Sequence, residues 1–234
     1  MKKEILIVPD IHGRDFWLPA LDFQGEVVFL GDYTDPYPQE SFTEEDAYQG
    51  LLKIVSFKQQ NPERVTLLIG NHEMHYYNKQ FAAGRFSVEY FPKYHEILMG
   101  ETTKELFQIC KKVDRYLFIH AGLTKDWYDR HLKQFQDLGS TLEEQLNRVF
   151  FEKMYIYHEA AWKYRGGLDE TGSPLWADVR EFDDEKERYD PQMIQIIGHT
   201  QIQESEPLIK NDIWMLDNRQ LYLLRNDAIE KYEG

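Results

Sequence analysis

The chain has 234 residues, with 27 basic and 41 acidic side chains, and its formal net charge is −14. A charge of this sign and size argues against binding of duplex nucleic acid, which needs a basic face to displace counterions. The hydrophobic fraction of 42% is sufficient for a sizeable folded core. Since the length suits one large α/β domain, we expect a single domain that spans residues 1–234.

The cysteine content and the N-terminal sequence indicate the cellular compartment of the protein. The lone cysteine, Cys110, excludes an intramolecular disulfide and a CxxC zinc site. Near the N-terminus only four residues, Ile5–Val8, form an apolar run before Pro9. A secretory signal needs roughly 7–15 apolar residues and a membrane-spanning helix about 20. We therefore expect a cytoplasmic protein without a membrane partner.

The first third of the chain alternates apolar runs with a helical pattern. Three runs rich in β-branched residues predict strands that are buried on both faces, as in a parallel sheet. These runs are Ile5–Val8, Val27–Leu30 and Val65–Ile69. Between the second and third runs, the capping signals Ser41-x-x-Glu44 and Thr43-x-x-Asp46 predict a helix that ends near Asn61-Pro62.

The rest of the chain predicts further strands and helices. The aromatic-rich segment Tyr76–Met99 predicts either a cap over a crevice or a helical pair that only packs. A long helix is predicted over Leu142–Tyr164 and a solvated loop over Glu181–Asp190. Two more buried strands are expected at Tyr116–Ile119 and Met193–Ile197. An antiparallel meander is expected over Pro207–Ile209, Ile213–Leu216 and Leu221–Leu224.

Aspartate, histidine, asparagine and glycine residues follow five of these apolar runs. The runs end in Asp10-Ile11-His12-Gly13, Gly31-Asp32-Tyr33-Thr34-Asp35, Gly70-Asn71-His72-Glu73, His120-Ala121-Gly122 and Gly198-His199-Thr200. Taken singly, each motif has an ordinary interpretation as a turn or as a core histidine. In α/β sheets, however, ligands collect outside the carboxyl ends of the strands. Five such motifs in order therefore favour one shared site.

The residue types in these motifs predict a site for two divalent cations. Asp10 and His12 lie two positions apart on an extended segment and point the same way, so they can bind one ion. The carboxylate of Asp32 has two oxygens and can bridge both ions. The second ion would be completed by Asn71, His120 and His199. Mixed imidazole and carboxylate ligands favour Mn²⁺, with Fe, Zn or Ni as alternatives, over Ca²⁺.

Together the five motifs resemble the ordered signature of the calcineurin-like metallophosphoesterases. The phosphoprotein phosphatase branch, with its bacterial relatives, fits best, because Leu175-Trp176-Ala177-Asp178 resembles its Leu-Trp-Ser-Asp stretch. The resemblance extends over nearly the whole chain. It implies an α/β fold, a four-layer α/β/β/α sandwich with two mixed β-sheets and a dinuclear metal site at the carboxyl ends of the strands.

The resemblance also implies a role for each matching residue. The metal ligands would be Asp10 and His12 on the first ion, Asp32 as the bridge, and Asn71, His120 and His199 on the second ion. His72 resembles the family's general acid, which protonates the leaving oxygen. Asp35 would pair with His72 and hold it as imidazolium, because a neighbouring carboxylate raises the pKa of a histidine.

Two arginines that grip the substrate phosphate in this branch are missing. Pro36 follows Asp35, and Ile69 precedes Gly70, where the branch usually has arginine. A bidentate guanidinium is hard to replace. Arg180 is the first candidate for a substitute, and Arg14 and Arg85 are further candidates.

The function implied by the resemblance is that of a metal-dependent phosphomonoesterase. Its substrate would be phosphoserine or phosphothreonine in a protein, or a small phosphomonoester, attacked in line by a metal-bridging hydroxide. The alternative is a hydrolase of dinucleoside polyphosphates such as diadenosine tetraphosphate, or a phosphodiesterase, since a larger substrate can be held through its nucleoside. A third hypothesis is a catalytically silent scaffold, whose mark would be lost metal ligands, and all six are present.

Overall fold

The computed structural model describes residues 4–234, which divide into two compact units. The first unit contains the described residues up to Gln108 together with Asn218–Gly234, and the second contains Ile109–Asp217. Each unit has its own mixed β-sheet with helices. The predicted α/β class with two mixed sheets is therefore confirmed, and the prediction of a single domain over residues 1–234 stays a prediction.

The elements follow one another in short segments. The strands are β1 Ile5–Val8, β2 Glu26–Phe29, β3 Val65–Leu68, β4 Phe107–Gln108, β5 Cys110–Val113, β6 Tyr116–Ile119, β7 Ile194–Ile197, β8 Leu208–Lys210, β9 Ile213–Met215, β10 Leu221–Arg225 and β11 Ala228–Tyr232. The α-helices are α1 Glu44–Gln60, α2 Asn71–Tyr77, α3 Phe91–Met99, α4 Lys125–Trp127, α5 Leu142–Glu152 and α6 Trp162–Arg165. Shorter 3₁₀ and π turns lie at Leu18–Leu21, Lys79–Phe81, Lys104–Leu106, Tyr128–Leu132, Lys133–Leu138, Met154–His158, Val179–Asp183 and Glu185–Glu187. No helix in residues 4–234 combines the length and apolar character that crossing a bilayer requires.

The sheet of the first unit has the strand order β11-β10-β1-β2-β3-β4. Strands β1 to β4 run parallel, which confirms the three buried strands predicted early in the chain. β10 pairs antiparallel with β1, with Leu224 opposite Ile5, so its assignment to a meander with the two preceding strands is wrong. β10 is buried along its first four residues because it lies between β1 and β11.

The sheet of the second unit has the strand order β5-β6-β7-β9-β8. β6, β7 and β9 run parallel, and this confirms the strands predicted at Tyr116–Ile119 and Met193–Ile197. β8 and β9 form the predicted antiparallel pair, with Ile209 opposite Trp214. β5 was not predicted, because the lysines in its Cys-Lys-Lys-Val sequence hide the strand pattern.

Helix α1 begins at the second of the two predicted capping signals. The hydroxyl of Thr43 accepts a hydrogen bond from the backbone N of Asp46 at 3.2 Å, and the carboxylate of Asp46 accepts one from the backbone N of Thr43 at 2.8 Å. This reciprocal capping box satisfies two amides of the first helical turn. The helix ends at Gln60, as predicted.

The long helix predicted over Leu142–Tyr164 is wrong beyond Glu152. Lys153 leaves the helical conformation with φ −135° and ψ 42°, and a 3₁₀ turn follows. Tyr157 in that turn is fully buried, and its hydroxyl donates to the carbonyl of Leu146 at 2.8 Å. The chain therefore folds back because an aromatic side chain is buried against the helix that precedes it.

The predicted solvated loop at Glu181–Asp190 is wrong at its start. Glu181 and Phe182 are buried. The carboxylate of Glu181 accepts hydrogen bonds from the backbone N atoms of Gly172 and Asp178, each at 2.8 Å. These bonds offset the cost of burying a charge. The segment thus anchors the loop that precedes it.

Helices α2 and α3 form a packed pair in the first unit. The rings of Tyr76 and Tyr94 have centroids 4.6 Å apart, and both side chains are buried. The helical pair of the packing interpretation of Tyr76–Met99 is therefore present, but the segment does more than pack. The connection between the two helices contains Arg85, which lies at the candidate site described next.

Candidate functional site

The loops that follow β1, β2 and β3 bring predicted site residues together in the first unit. Nε2 of His12 lies 3.4 Å from Oδ2 of Asp32. The backbone N of His72 donates to Oδ1 of Asp32 at 3.0 Å. Ligand atoms of His12, Asp32 and His72 all lie within 4.8 Å of one another. Asp10 and Asn71 are also buried, directly after their strands. The polar residues predicted at the strand ends of this unit are therefore buried.

Three residues of these loops have strained backbone conformations. His12, Asp32 and Asp35 have positive φ angles of 46°, 52° and 56°. Residues other than glycine rarely adopt this left-handed conformation, and such strain is a feature of functional sites. The loops also touch through backbone, because a Cβ on Gly31 would lie 2.5 Å from the backbone N of Gly70.

Glu73 joins two of these loops, a role that was not predicted from the sequence. Its carboxylate is fully buried and accepts hydrogen bonds from the backbone N atoms of Asp32 at 2.8 Å, Tyr33 at 2.9 Å and Gly70 at 2.9 Å. An acidic residue in the first turn of a helix is a capping signal, and this signal could have identified Glu73.

His12 has the protonation state of a metal ligand. Its Nδ1 lies 2.9 Å from the carbonyl oxygen of Thr34, which can only accept, so Nδ1 carries the hydrogen. Burial lowers the pKa of His12 well below its ordinary value, and the ring is therefore neutral at pH 7. The lone pair on Nε2 is left facing Asp32. A neutral imidazole oriented by a carbonyl beside a carboxylate fits a divalent cation.

Asp35 accepts hydrogen bonds from three side chains. Its Oδ2 lies 2.6 Å from Nδ1 of His72 and 3.0 Å from Nδ1 of His75, and its Oδ1 accepts from the hydroxyl of Tyr76. Burial raises the pKa of Asp35, but the hydrogen bonds outweigh it and hold the pKa below its usual value. The predicted pairing of Asp35 with His72 is present. His75 and Tyr76 are further partners that no sequence motif indicated.

The protonation of His72 differs from the sequence expectation. Burial lowers its pKa to about 4, although the carboxylate of Asp35 acts in the opposite direction. The expected imidazolium is therefore not the form that this environment favours at neutral pH. Its neutral ring donates from Nδ1 to Asp35 and presents the lone pair of Nε2.

The three candidate arginines have different partners. Arg14 is buried and binds the carboxylate of Glu40 through Nε at 2.7 Å and Nη2 at 2.9 Å. Arg180, in the second unit, is exposed and its Nε pairs with Asp178 at 2.7 Å. Arg85 instead places Nη2 2.9 Å from Nε2 of His72. The assignments of Arg180 and Arg14 to substrate binding stay predictions.

Two further predicted ligands lie together in the second unit. His120 follows β6 and His199 follows β7, and the centroids of their rings are 5.0 Å apart. The backbone N of Gly198 donates to the carbonyl of His120 at 2.9 Å. His199 has a positive φ of 62°, and its ring lies 6.0 Å from that of Trp176. Neighbouring parallel strands thus bring the two histidines together, as the sequence predicted.

Comparison with known proteins identifies the family. Residues 3–203 match the sequence profile of the calcineurin-like phosphoesterases. The chain belongs to the calcineurin-like phosphoesterase family. The resemblance found in the sequence motifs is therefore confirmed.

Relatives of this calcineurin-like phosphoesterase include protein phosphatases. The catalytic subunit of serine/threonine-protein phosphatase 4 from Candida glabrata is 28% identical over 187 residues, which cover 76% of this chain and 50% of the relative. The chain thus spans about half the length of that curated relative.

Solved structures share the fold. A serine/threonine phosphatase from Saccharomyces cerevisiae has a TM-score of 0.58 at 18% identity, and the match covers 100% of this chain and 80% of that one. A cold-active protein-tyrosine phosphatase of a psychrophilic Shewanella species has a TM-score of 0.60 at 15% identity, and the match covers 99% of this chain and 80% of that one.

Proposed function

We propose that this calcineurin-like phosphoesterase is a metal-dependent phosphomonoesterase that acts on phosphoserine or phosphothreonine in proteins, or on small phosphomonoesters. The pairing of His72 with Asp35 carries the proposal. His72 lies 2.6 Å from the buried carboxylate of Asp35. One of its ring nitrogens also lies within 4.8 Å of ligand atoms of His12 and Asp32. This position suits a proton donor beside a metal-bound phosphate. The serine/threonine phosphatase among the relatives supports the substrate class.

The proposal includes two divalent cations, with Mn²⁺ as the first choice and Fe, Zn or Ni as alternatives. The family resemblance assigns them to Asp10, His12, Asp32, Asn71, His120 and His199. The neutral His12 imidazole and the Asp32 carboxylate supply suitable donors within the first unit. When bound, the cations neutralise the phosphate oxygens and activate the attacking water.

In this mechanism, His72 holds a proton at Nε2 and donates it to the departing oxygen of the substrate. Asp35 fixes the ring through Nδ1 so that Nε2 keeps one direction. A pKa of about 4 leaves the ring neutral before substrate binds. A phosphate dianion raises the pKa of a neighbouring histidine, because opposite charge stabilises imidazolium. The bound substrate thus shifts His72 towards the charged form from which the proton is donated.

A phosphate panel tests this function. The purified chain is loaded with Mn²⁺ and assayed with 4-nitrophenyl phosphate, a phosphoserine peptide, a phosphothreonine peptide and diadenosine tetraphosphate. We expect turnover of one or more of the monoesters. Exclusive turnover of diadenosine tetraphosphate would replace the proposal with the dinucleoside polyphosphate alternative. A chain that retains two ions and hydrolyses none of the substrates contradicts it.

The cellular context is also part of the proposal. We expect the protein to work in the cytoplasm on a phosphorylated partner, without binding duplex nucleic acid or membranes. The net charge of −14 supports the exclusion of duplex nucleic acid. Fractionation of cells that express the tagged chain tests the location, because recovery in the membrane pellet would contradict it.

A further inference from the structure

A phosphate monoester brings a charge of about −1.5 to −2 into the site, and the chain lacks both of the arginines that its family resemblance leads one to expect. Pro36 and Ile69 occupy those positions and carry no charge. A replacement guanidinium must lie close to the proton donor His72, because the phosphate and its leaving oxygen belong to one small group.

Arg85 meets this requirement within the first unit. Its Nη2 lies 2.9 Å from Nε2 of His72, the nitrogen that would protonate the leaving oxygen. The same Nη2 lies 3.5 Å from Nε2 of His12. Arginine stays charged at every physiological pH and can only donate, so its guanidinium is a fixed positive charge between these two rings.

Arg85 is held in place by the residues that position the proton donor. Its Nε donates to the backbone carbonyl of Asp35 at 3.1 Å. The backbone N of Ser87, two residues further on, donates to the hydroxyl of Tyr76, which itself donates to the Asp35 carboxylate. Asp35 therefore fixes both His72 and Arg85 relative to one another. Arg85 also adopts a positive φ of 67°, which is further evidence of a constrained position.

Tyr37 supports the guanidinium from its other side. The Arg85 Cζ atom lies 3.7 Å from the centroid of the Tyr37 ring, a cation–π stack. Tyr37 follows Pro36, in the loop where the family has one of the missing arginines. The loop thus supplies an aromatic platform for an arginine that comes from a different part of the chain.

Arg85 differs from the other two candidate arginines in its ion pairing. Arg14 and Arg180 are each paired with a carboxylate, Glu40 and Asp178 respectively. Within residues 4–234, the structure shows no carboxylate at ion-pair distance from Arg85. The carboxylates of Glu40 and Glu44 interact with Arg85 only at longer range. An anion that reaches Arg85 therefore gains a charge-assisted hydrogen bond without displacing a directly paired carboxylate.

We propose that Arg85 binds the phosphate group of the substrate and replaces the arginines that the family motifs supply elsewhere. This inference rests on the proposed phosphoesterase function. It also assigns a function to the connection between α2 and α3, which delivers the guanidinium to the site.

The test measures binding of inorganic phosphate by calorimetry to the Mn²⁺-loaded chain and to its variants Arg85→Gln, Arg85→Lys and Lys79→Gln. Lys79 is the control, because it is an exposed cation in the same segment and lies over the Phe91 ring. We expect Arg85→Gln to weaken phosphate binding about 10- to 100-fold, the loss typical of charge-assisted hydrogen bonds. Lysine should restore part of the affinity, and the control should match the wild type.

Metal content and kinetics complete the test. We expect Arg85→Gln to retain the metal stoichiometry of the wild type and to raise KM for 4-nitrophenyl phosphate in step with the loss of phosphate affinity. Unchanged phosphate affinity in Arg85→Gln would overturn the inference, as would a wild-type chain that binds no phosphate. If the wild type binds phosphate through Arg85 but hydrolyses no monoester, the proposed function fails and the binding assignment stands.

Discussion

Oε2 of Glu73 accepts a hydrogen bond from the backbone N of Asp32 at 2.8 Å, although the two residues are 41 positions apart. The other carboxylate oxygen accepts from the backbone N of Tyr33 at 2.9 Å. The loop that carries Asp32 therefore takes its shape from a carboxylate on another element. We expect Glu73→Gln to lower the free energy of unfolding by about 2–4 kcal/mol, because an amide NH₂ would face backbone donors.

Urea unfolding measures this effect. Glu63→Gln serves as the control, since Glu63 is exposed and its replacement should change the free energy of unfolding by less than about 0.5 kcal/mol. Equal midpoints for the Glu73 and Glu63 variants would show that the hydrogen bonds of Glu73 do not stabilise the loop.

Gly70→Ala should displace Asp32 and reduce metal binding. A methyl group on Gly70 would overlap Oδ1 and the backbone N of Asp32, so one of the two loops must shift. Gly50→Ala is the matched control, because nothing lies within 4 Å of a Cβ at this helical position. There alanine should stabilise the helix by about 0.5–1 kcal/mol. Elemental analysis compares the variants, and a full metal complement in Gly70→Ala would contradict the expected shift.

Asp32→Asn and His72→Asn should separate metal binding from proton donation. We expect Asp32→Asn to lose most of the bound metal and nearly all turnover, because in the proposed site Asp32 bridges both ions. His72→Asn should keep the metal and slow turnover by about 10²–10⁴-fold, the usual effect of a lost general acid. Mass spectrometric metal analysis with kinetics on 4-nitrophenyl phosphate distinguishes the two. Loss of metal from His72→Asn would make His72 a ligand instead.

Glu44 gives stability an unusual pH dependence. Burial raises its pKa to about 7, from an ordinary value of 4.5, and the charge of Asp35 adds to the effect. Between these values the folded state binds more protons than the unfolded chain, so this group destabilises the fold increasingly as pH rises and remains unfavourable above 7. We expect Glu44→Gln to raise the melting temperature at about pH 8, with a gain that disappears near pH 4.

The neighbouring residue provides the control for this measurement. Hydrogen bonds from Gln49, Tyr90 and Lys93 lower the pKa of Glu45, so its charged form is the favourable one. Glu45→Gln should therefore give no gain in melting temperature at alkaline pH. If both variants gain equally, the effect comes from the net charge of the chain and not from the environment of Glu44.

The candidate ligands could be predicted from the sequence because they lie directly after strands. Each motif is local, and the parallel arrangement of the strands places Asp32 beside His12, and His199 beside His120. The position of Arg85 could not be predicted, because its approach to Asp35 and His72 depends on tertiary contacts that no spacing rule reveals.

The errors in secondary structure have the same origin. The end of α5 has no glycine or proline to mark it, and burial of Tyr157 against Leu146 decides where the helix stops. The place of β10 is decided by pairing with a strand at the opposite end of the sequence, with Leu223 opposite Leu6. Long-range packing overrides local preference in both cases.

The pairing of β1 with β10 also has a consequence for folding during translation. β1 lies between β2 and β10, while the second unit is one continuous stretch that the ribosome delivers before β10. During translation of the second unit, one edge of β1 therefore lacks its native partner strand. An uncovered strand edge is a template for aggregation. Slow passage through residues 109–217 should accordingly lower the yield of native protein, even though those codons encode none of the strands that finally cover β1.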